Sequence, residues 1–405
     1  MLLRLRREPR RRSASQLVRR LVRWSVDGCV GVLAVAVWVL VVLPYSHARR
    51  ALRRRRGALP AILWGPIPIP NVVYSARAER HFGYPSRSLV FSVYGISARS
   101  DFDHVWDRLR GVPLVGRVVP YAAWLWFGFT TDVYGFFFDG GLLGATPWWR
   151  VELALLRLAR KAVVVYPYGS DARLASRTRE LGPWNAYTDV APGDEDRAER
   201  AVRARLDTIG RRANVVLGCA DLVEDLPRLD GIFRYPFDTN GWEPAPEVDD
   251  GVVTVVHAPN HRLLKGTRYL LDAIRQLRTE GLPVDLELVE GMRLDEARRV
   301  YARADVIADQ FLIGAYALFA IEGMALGKPV VCYLNDRFRH FHPEWEDCPI
   351  VSAHPDTLAE VLRRLIGDPV LRRELGARGP AYVRAHHSLE SVGASMDEIY
   401  RRLWR

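Results

Sequence analysis

Residues 257–267, HAPNHRLLKGT, and residues 311–331, FLIGAYALFAIEGMALGKPVV, are the stretches whose reading decides the fold. The first follows an apolar run, 252–256, and passes through a polar turn closed by Gly266 into a helix expected from about 267. A strand that turns into a helix in this way gathers backbone N–H groups and the helix's positive end at one spot, which suits a phosphate. Arg262 and Lys265 add cationic charge to that turn. The second stretch repeats the arrangement: a strand, a short loop, and a helix carrying Glu322 in its early turns. Two anion-ready loops and one carboxylate at one sheet edge suit a ligand with a diphosphate and a hydroxyl-rich ribose, as in a nucleotide sugar.

On these residues the segment resembles the donor-binding half of family-4-type glycosyltransferases with the GT-B architecture. Those enzymes show an Arg/Lys-x-x-Lys-Gly element and a Glu-x7-Glu element ending in E-A-M-A-x-G-x-P-V. Arg262, Lys265, Gly266, Glu322, Met324, Ala325, Gly327, Pro329 and Val330 match. The likeness is strong over 257–331 and looser over 60–400. It departs at one position: the first Glu of the Glu-x7-Glu pair falls on Gly314. The resemblance implies an α/β fold of GT-B type, two doubly wound Rossmann-like domains facing a cleft, with an N-terminal membrane-associated helix added.

Charge agrees with that division. The net charge of +11 invites a nucleic-acid reading, but residues 1–60 hold 15 Arg and two acids, Glu8 and Asp27, so the other 345 residues sum to −2. The body is near neutral and no nucleic-acid-binding face is expected. Lysine is scarce, three against 55 Arg, so Lys265 stands where composition favours Arg; its ammonium is a compact point charge for a phosphate. Cys29, Cys219, Cys332 and Cys348 form no C-x-x-C pair, and no N-x-S/T acceptor occurs, in keeping with a reducing cytosol.

Residues 28–43, GCVGVLAVAVWVLVVL, carry no charge and are flanked by Trp24 and Tyr45. Nine Arg precede this run and six follow it, so spanning would carry one cluster across the bilayer against the positive-inside rule. A re-entrant or half-inserted helix, bent near Pro44, keeps both clusters on anionic headgroups. The segment 1–58 is therefore expected at a membrane surface with the body on the cytoplasmic side, and its removal to free that body. A single span and a buried core helix are the competing readings.

In the body, the runs ALPAILWG, SLVFSVYG, DVYGFFFDG, KAVVVYPYG and NVVLGC alternate with helical stretches, which argues for a parallel sheet. We place an acceptor domain at 59–240, a linker at 241–251 within the Pro/Gly/Asp-rich stretch 236–251, and a nucleotide-sugar domain at 252–385. A C-terminal helix over 386–405 should, by resemblance, cross back onto the first domain. Loops after the strands lie at the carboxyl edge of the sheet, where ligands bind; by that rule Gly65, 132–141 and 169–171 face the cleft.

Lys265 and Arg262 read as diphosphate ligands that neutralise the leaving nucleoside diphosphate, or else as solvated loop cations. Glu322 lies in an apolar helix; by resemblance it accepts from the donor ribose, and otherwise it complements the helix dipole. The amides of Ala315, Tyr316 and Ala317 can hold phosphate oxygens whatever their side chains. Asp309 and Gln310 stand at a strand end where they could replace the acid missing at Gly314, or cap that strand. His257 and Asn260 should point into the cleft, His257 as a donor ligand or as a satisfied buried histidine. Glu290, followed by Gly291, could flank the nucleobase. On the acceptor side, Asp171 orients a substrate or caps the next helix, while Asp132, Asp139, Asp103 and His104 are loop candidates. Gly65 suits a close approach of backbone to phosphate, or a tight turn. The aromatic run 121–129, YAAWLWFGF, is an apolar lip toward a lipid-linked acceptor or lies beneath the sheet.

The chain thus reads as a membrane-associated glycosyltransferase that moves a sugar from a nucleotide-sugar donor to a lipid-linked or cell-envelope glycan. By resemblance it needs no metal or other cofactor and retains anomeric configuration. A non-catalytic nucleotide-sugar-binding subunit and a nucleotide-sugar epimerase of the same fold are the alternatives.

Overall fold

The computed structural model describes residues 14–93, 97–112, 114–190, 195–244 and 251–405, with 14–25 and 195–197 described by backbone alone. Most of the expected linker, 245–250, lies outside them, as do the Arg of residues 1–13.

Among the described residues, eleven short strands form two sheets. β1 (Ile62–Trp64), β2 (Ser86–Val90), β3 (His104–Val105), β4 (Val133–Phe136), β5 (Ala162–Val165), β6 (Val215–Gly218) and β7 (Gly231–Ile232) make a sheet of order β3-β2-β1-β4-β5-β6-β7. β8 (Val253–His257), β9 (Val284–Leu288), β10 (Val306–Ala308) and β11 (Val330–Val331) make a second, of order β11-β10-β8-β9. Every pairing within these ladders is parallel. The inner strands β4 and β5 are buried along their whole length, because helices cover both sides of the sheet. The chain direction of the crossovers reverses between β1 and β4 in one sheet and between β8 and β10 in the other. Such switch points open a crevice at the carboxyl edge. In the second sheet that crevice is bounded by the loops after β8 and β10, residues 258–266 and 309–317.

The helices that matter for the site are α1 (Ala14–Val37), α2 (Leu43–Arg55), α3 (Pro70–His81), α4 (Val115–Thr130), α5 (Thr267–Thr279), α6 (Leu318–Ala325) and α7 (Leu389–Trp404). α7 packs on α3 in the first domain, and one buried carboxylate fastens it. Glu79 of α3 accepts from Trp64 Nε1 at 2.7 Å, from Ser86 Oγ at 2.5 Å and from the Tyr400 hydroxyl of α7. Burial pushes the Glu79 carboxyl up to about 7, against those three hydrogen bonds.

The N-terminal segment is a long helix that packs on the body. Just before Pro44 there is one π-helical turn, Trp38–Val42, in which Leu43 N–H bonds the Trp38 carbonyl. Pro44, which has no N–H to donate, follows directly in the first turn of α2, and the helix runs on through it to Arg55. One side of this long helix is part of the first domain's core. Ala34, Trp38 and Val42 are buried together with Trp124 and Phe127 of α4 and Leu63 of β1. Trp38 stacks on Trp124 with centroids 4.1 Å apart and planes at 7°. The aromatic run 121–129 accordingly divides: Tyr121, Trp124 and Phe127 lie beneath the sheet while Trp126 is 58% exposed.

Removing residues 1–58 should therefore destabilise the body rather than free it. Trp38→Ala should cost about 3–5 kcal/mol, and Leu40→Ala on the open side less than about 0.5 kcal/mol in detergent. Thermal unfolding of the two variants checks this, and equal shifts would contradict it.

Candidate active site

The loop after β8 carries the first group of predicted residues. His257, fully buried, ends the strand. Its Nδ1 lies 2.7 Å from the Ala308 carbonyl and must donate to it, so Nε2 accepts from the Thr267 hydroxyl at 2.9 Å. Burial pushes the imidazole down to about 4. His257 is thus a satisfied core residue rather than a donor ligand: it ties β8 to β10 and fixes the start of α5. Thr267, which sequence reasoning passed over, is its partner. Asn260 is exposed on the turn. A single helical turn, Arg262–Lys265, ends at Gly266, and the Lys265 carbonyl accepts from Phe311 N–H at 3.0 Å, which joins the two loops.

The second loop begins with Asp309 and Gln310, both buried. Neither replaces the acid absent at 314. Asp309 Oδ1 pairs with Lys265 Nζ at 2.6 Å. Gln310 spends its whole amide on the loop: Nε2 donates to the Ala315 and Tyr333 carbonyls, and Oε1 accepts from Leu312 and Ile313 N–H. Gly314 has φ +88, and a Cβ there would lie 3.0 Å from that of Asn335. In this left-handed turn a glutamate would be strained, which gives a local reason for the departure from the family's pattern. Tyr316 turns its hydroxyl inward to Tyr382 at 2.8 Å and His387 at 2.9 Å, so only its amide can reach a ligand.

What the loop leaves open is its backbone. Among the described residues, the N–H groups of Ala315, Tyr316 and Ala317 find no acceptor, and α6 begins at Leu318 with no side-chain cap on Ala317. These amides and the helix's positive end form an anion cradle. Lys265 stands beside it, 5.8 Å from the Phe319 ring of the same helix. Arg262 is held farther out, its Nε 2.8 Å from Glu290 Oε1 in a two-point pair, so Glu290 meets Arg262 on an exposed surface in this structure.

Glu322 faces this cradle from the second turn of α6. It is 9% exposed and, among the described residues, has no hydrogen-bond partner. Burial pushes its carboxyl up to about 8, with Lys265 opposing and Asp309 reinforcing the rise. Tyr74 of α3 and Tyr301 stand close enough that its charge, after burial, raises their hydroxyls as well. Tyr74 brings the first domain to this site, and no sequence signal marked either tyrosine. An unpaired buried carboxylate is costly unless a ligand donates to it.

The acceptor-side candidates fare differently. Asp132 precedes β4 and so lies at the amino edge of the sheet, away from the cleft. It accepts from Ala61 N–H at 2.8 Å and pairs with Arg49 and with Arg53 at 3.4 Å, anchoring α2 to the body. Asp171 is 2% exposed and accepts from the N–H groups of Phe138, Tyr168 and Gly169, so it staples its own loop to the one after β4. Asp139 does lie at the carboxyl edge, where Tyr168 donates to it at 2.5 Å. A Cβ at Gly65 would sit 2.2 Å from the Leu89 carbonyl, so a neighbouring strand, not a phosphate, requires glycine there. Asp103 is taken up by Ser88 and Arg80. Among the described residues no group of three His, Cys, Asp or Glu is placed to hold a metal ion.

No protein-family profile matches the chain. It is similar to the MMP alpha-(1->4)-mannosyltransferase of Mycolicibacterium hassiacum, 28% identical over 166 residues that cover 34% of this chain and 40% of that protein. The chain thus spans less than half the length of the relative it matches. Among solved structures, the sucrose-phosphate synthase of Thermosynechococcus elongatus is similar at TM-score 0.57 and 15% identity, over 85% of this chain and 99% of that one. HepE of Anabaena in complex with UDP-glucose gives TM-score 0.53 at 14% identity, over 85% and 100%. A glycosyltransferase from Rickettsia africae gives 0.53 at 11%, over 85% and 98%. At these identities the likeness is one of fold, and the fold is GT-B, two facing parallel sheets as expected.

The raised carboxyl of Glu322 sets a pH dependence. Its pKa rises from 4.5 to about 8 on folding, so the contribution to stability is full below 4.5 and is lost as pH climbs toward 8. Glu322→Gln should flatten part of the fall in the free protein's melting temperature over that window. A nucleoside diphosphate whose ribose donates to the ionised form should bind more tightly as pH rises from 6 to about 8 in the wild type, and without that trend in Glu322→Gln. Calorimetric titration reads this directly; a parallel trend in both proteins would exclude Glu322 as the coupled group.

Proposed function

We propose that this chain is a glycosyltransferase that transfers a sugar from a nucleotide-sugar donor to a lipid-linked or cell-envelope glycan at a membrane surface. The observation that carries the reading is the convergence of three groups at one switch point: the free amides of 315–317, the Lys265 ammonium held in place by Asp309, and the Glu322 carboxylate, which has no partner among the described residues. The amides and Lys265 hold the diphosphate and stabilise the charge that grows on it as the glycosidic bond breaks. Glu322 accepts from the ribose hydroxyls. Arg262, released from Glu290, adds a second cation at the outer phosphate. Transfer needs no metal, the cations and the N-terminus of α6 meeting the leaving group's charge. Anomeric configuration is retained, with the donor phosphate assisting deprotonation of the acceptor. The M. hassiacum relative's name makes a mannosyl nucleotide the first donor to try, and the HepE complex makes UDP-glucose the second.

The body works from the cytoplasmic face, attached through its N-terminal helix, the one helix among the described residues long and apolar enough to cross a membrane. The acceptor enters beside Asp139 and Tyr168 at the facing sheet edge. One observation favours a second reading, a donor-binding subunit without transfer: the backbone at Gly314 has no place for the family's first acid.

Incubating the full chain with a panel of nucleotide sugars, with and without a lipid extract, separates the two. Transferase activity should release nucleoside diphosphate from one donor, faster with the extract. Lys265→Ala and Glu322→Ala should each slow release at least about a hundredfold; Lys265→Ala should also lower the melting temperature, because it leaves the buried Asp309 carboxylate unpaired, so release is compared where both variants remain folded. Donor binding without any release would favour the subunit, and unchanged release in both variants would remove the site assignment.

A further inference from the structure

The N-terminal helix is apolar on two opposite sides, and only one of them is covered. Ala34, Trp38, Val42 and Ser46 recur every three to four residues and face the core. Val32, Leu33, Leu40 and Tyr45 recur on the other side and are 61%, 67%, 75% and 47% exposed. α4, packed alongside, shows the same division: Val119, Trp124 and Phe127 face inward, while Val115, Val118 and Trp126 are 44%, 40% and 58% exposed. Among the described residues, thirteen of the nineteen exposed large hydrophobic side chains lie on the N-terminal helix or on 109–126. A concentration of this kind on the N-terminal helix, α4 and the segment leading into α4 marks an interaction surface.

We propose that the paired outer stripes of the N-terminal helix and α4 form one docking surface that rests in the interfacial layer of an anionic bilayer, on a single leaflet, without crossing it. This rests on the membrane attachment proposed above and is independent of the transfer chemistry. The helix is pinned to the body at both ends of its apolar length. At one end Asp27 pairs with Arg117 of α4 at 2.8 Å, and its carbonyl accepts from Trp148 Nε1 at 3.1 Å. At the other, Ser46 Oγ donates to the Gly128 carbonyl of α4 at 3.4 Å and Arg49 pairs with Asp132. A spanning helix is surrounded by lipid; this one is sealed along its inner side by a globular domain that would have to follow it into the hydrocarbon. Lying flat, it places only its outer stripe among the acyl chains, with Trp126 and Tyr45 at the depth such rings favour.

Charge chooses the bilayer over a second copy. No charged residue occurs between Asp27 and Arg49, and Arg54, Arg55 and Arg56 stand exposed at the end of α2. An anionic headgroup layer complements that rim. A two-fold pairing of the same face would bring one cationic rim near another and leave its charge unanswered.

The full chain should float with vesicles of phosphatidylcholine and phosphatidylglycerol, and far less with phosphatidylcholine alone. Leu40→Glu and Trp126→Glu should each lower partitioning about tenfold, leaving the melting temperature of the lipid-free protein unchanged because both sites are exposed. Fluorophores on Leu40→Cys and Trp126→Cys should both be quenched by headgroup-proximal lipid quenchers. Protease added outside preformed vesicles should cut at the Arg on both sides of residues 28–43. Protection of one flank, a label at Leu40→Cys near the bilayer centre with that at Trp126→Cys in water, or binding indifferent to Trp126→Glu would each overturn the proposal. So would lipid-free self-association that Trp126→Glu abolishes in a protein that ignores vesicles. Sugar transfer without vesicle binding would sink this inference alone, and vesicle binding without transfer would sink only the functional reading.

Discussion

Parallel strands cannot be joined by tight turns, and this constraint governs the molecule. Each connection must run back over a face of the sheet, usually as a helix, so every strand delivers its following loop to the same edge. Where neighbouring strands are reached from opposite directions, as at β8 and β10, their loops part and leave a crevice. Lys265 and Glu322, 57 residues apart in sequence, come to one crevice because of that topology. The buried ring of His257, bonded to Ala308 and Thr267, holds the two sides of the crevice in register.

The crevice is polar where the rest of the domain is apolar, and its polar groups are unequally satisfied. Asp309 has Lys265, and Gln310 has four backbone partners. The amides of 315–317 and the carboxylate of Glu322 have none among the described residues. A folded chain that buries such groups gives up stability that a bound diphosphate and ribose would restore. The unpaired groups thus describe the ligand by what it must supply: anionic oxygens for the amides and hydroxyl donors for the carboxylate.

The sequence carried the fold because its signals were local. Val-rich runs bounded by Gly and Pro located the strands; the helix at Thr267 starts where its pattern placed it, and the C-terminal helix, expected over 386–405, begins at Leu389. The cation and the carboxylate of the site were legible for the same reason, each sitting in a contiguous motif. What sequence could not weigh was competition between neighbours distant in the chain. Asp132 looked like a cleft residue until Arg49, 83 positions away, proved to hold it at the opposite edge. Asp171 and Glu290 were polar residues in promising loops whose partners, the amides of Phe138, Tyr168 and Gly169 for one and Arg262 for the other, are set by tertiary structure. The N-terminal run misled in another way. Its hydropathy is uniform around the helix, so composition alone gave no sign that Trp38 stacks on Trp124 while Leu40 stays open.

The account stands or falls on where a nucleotide lies. A crystal structure of the full chain with the nucleoside diphosphate of its donor should show the diphosphate between Lys265 Nζ and the amides of Ala315, Tyr316 and Ala317, with the ribose hydroxyls on Glu322. A nucleotide bound elsewhere, or one in the cleft that leaves Glu322 without a hydrogen bond, would contradict it.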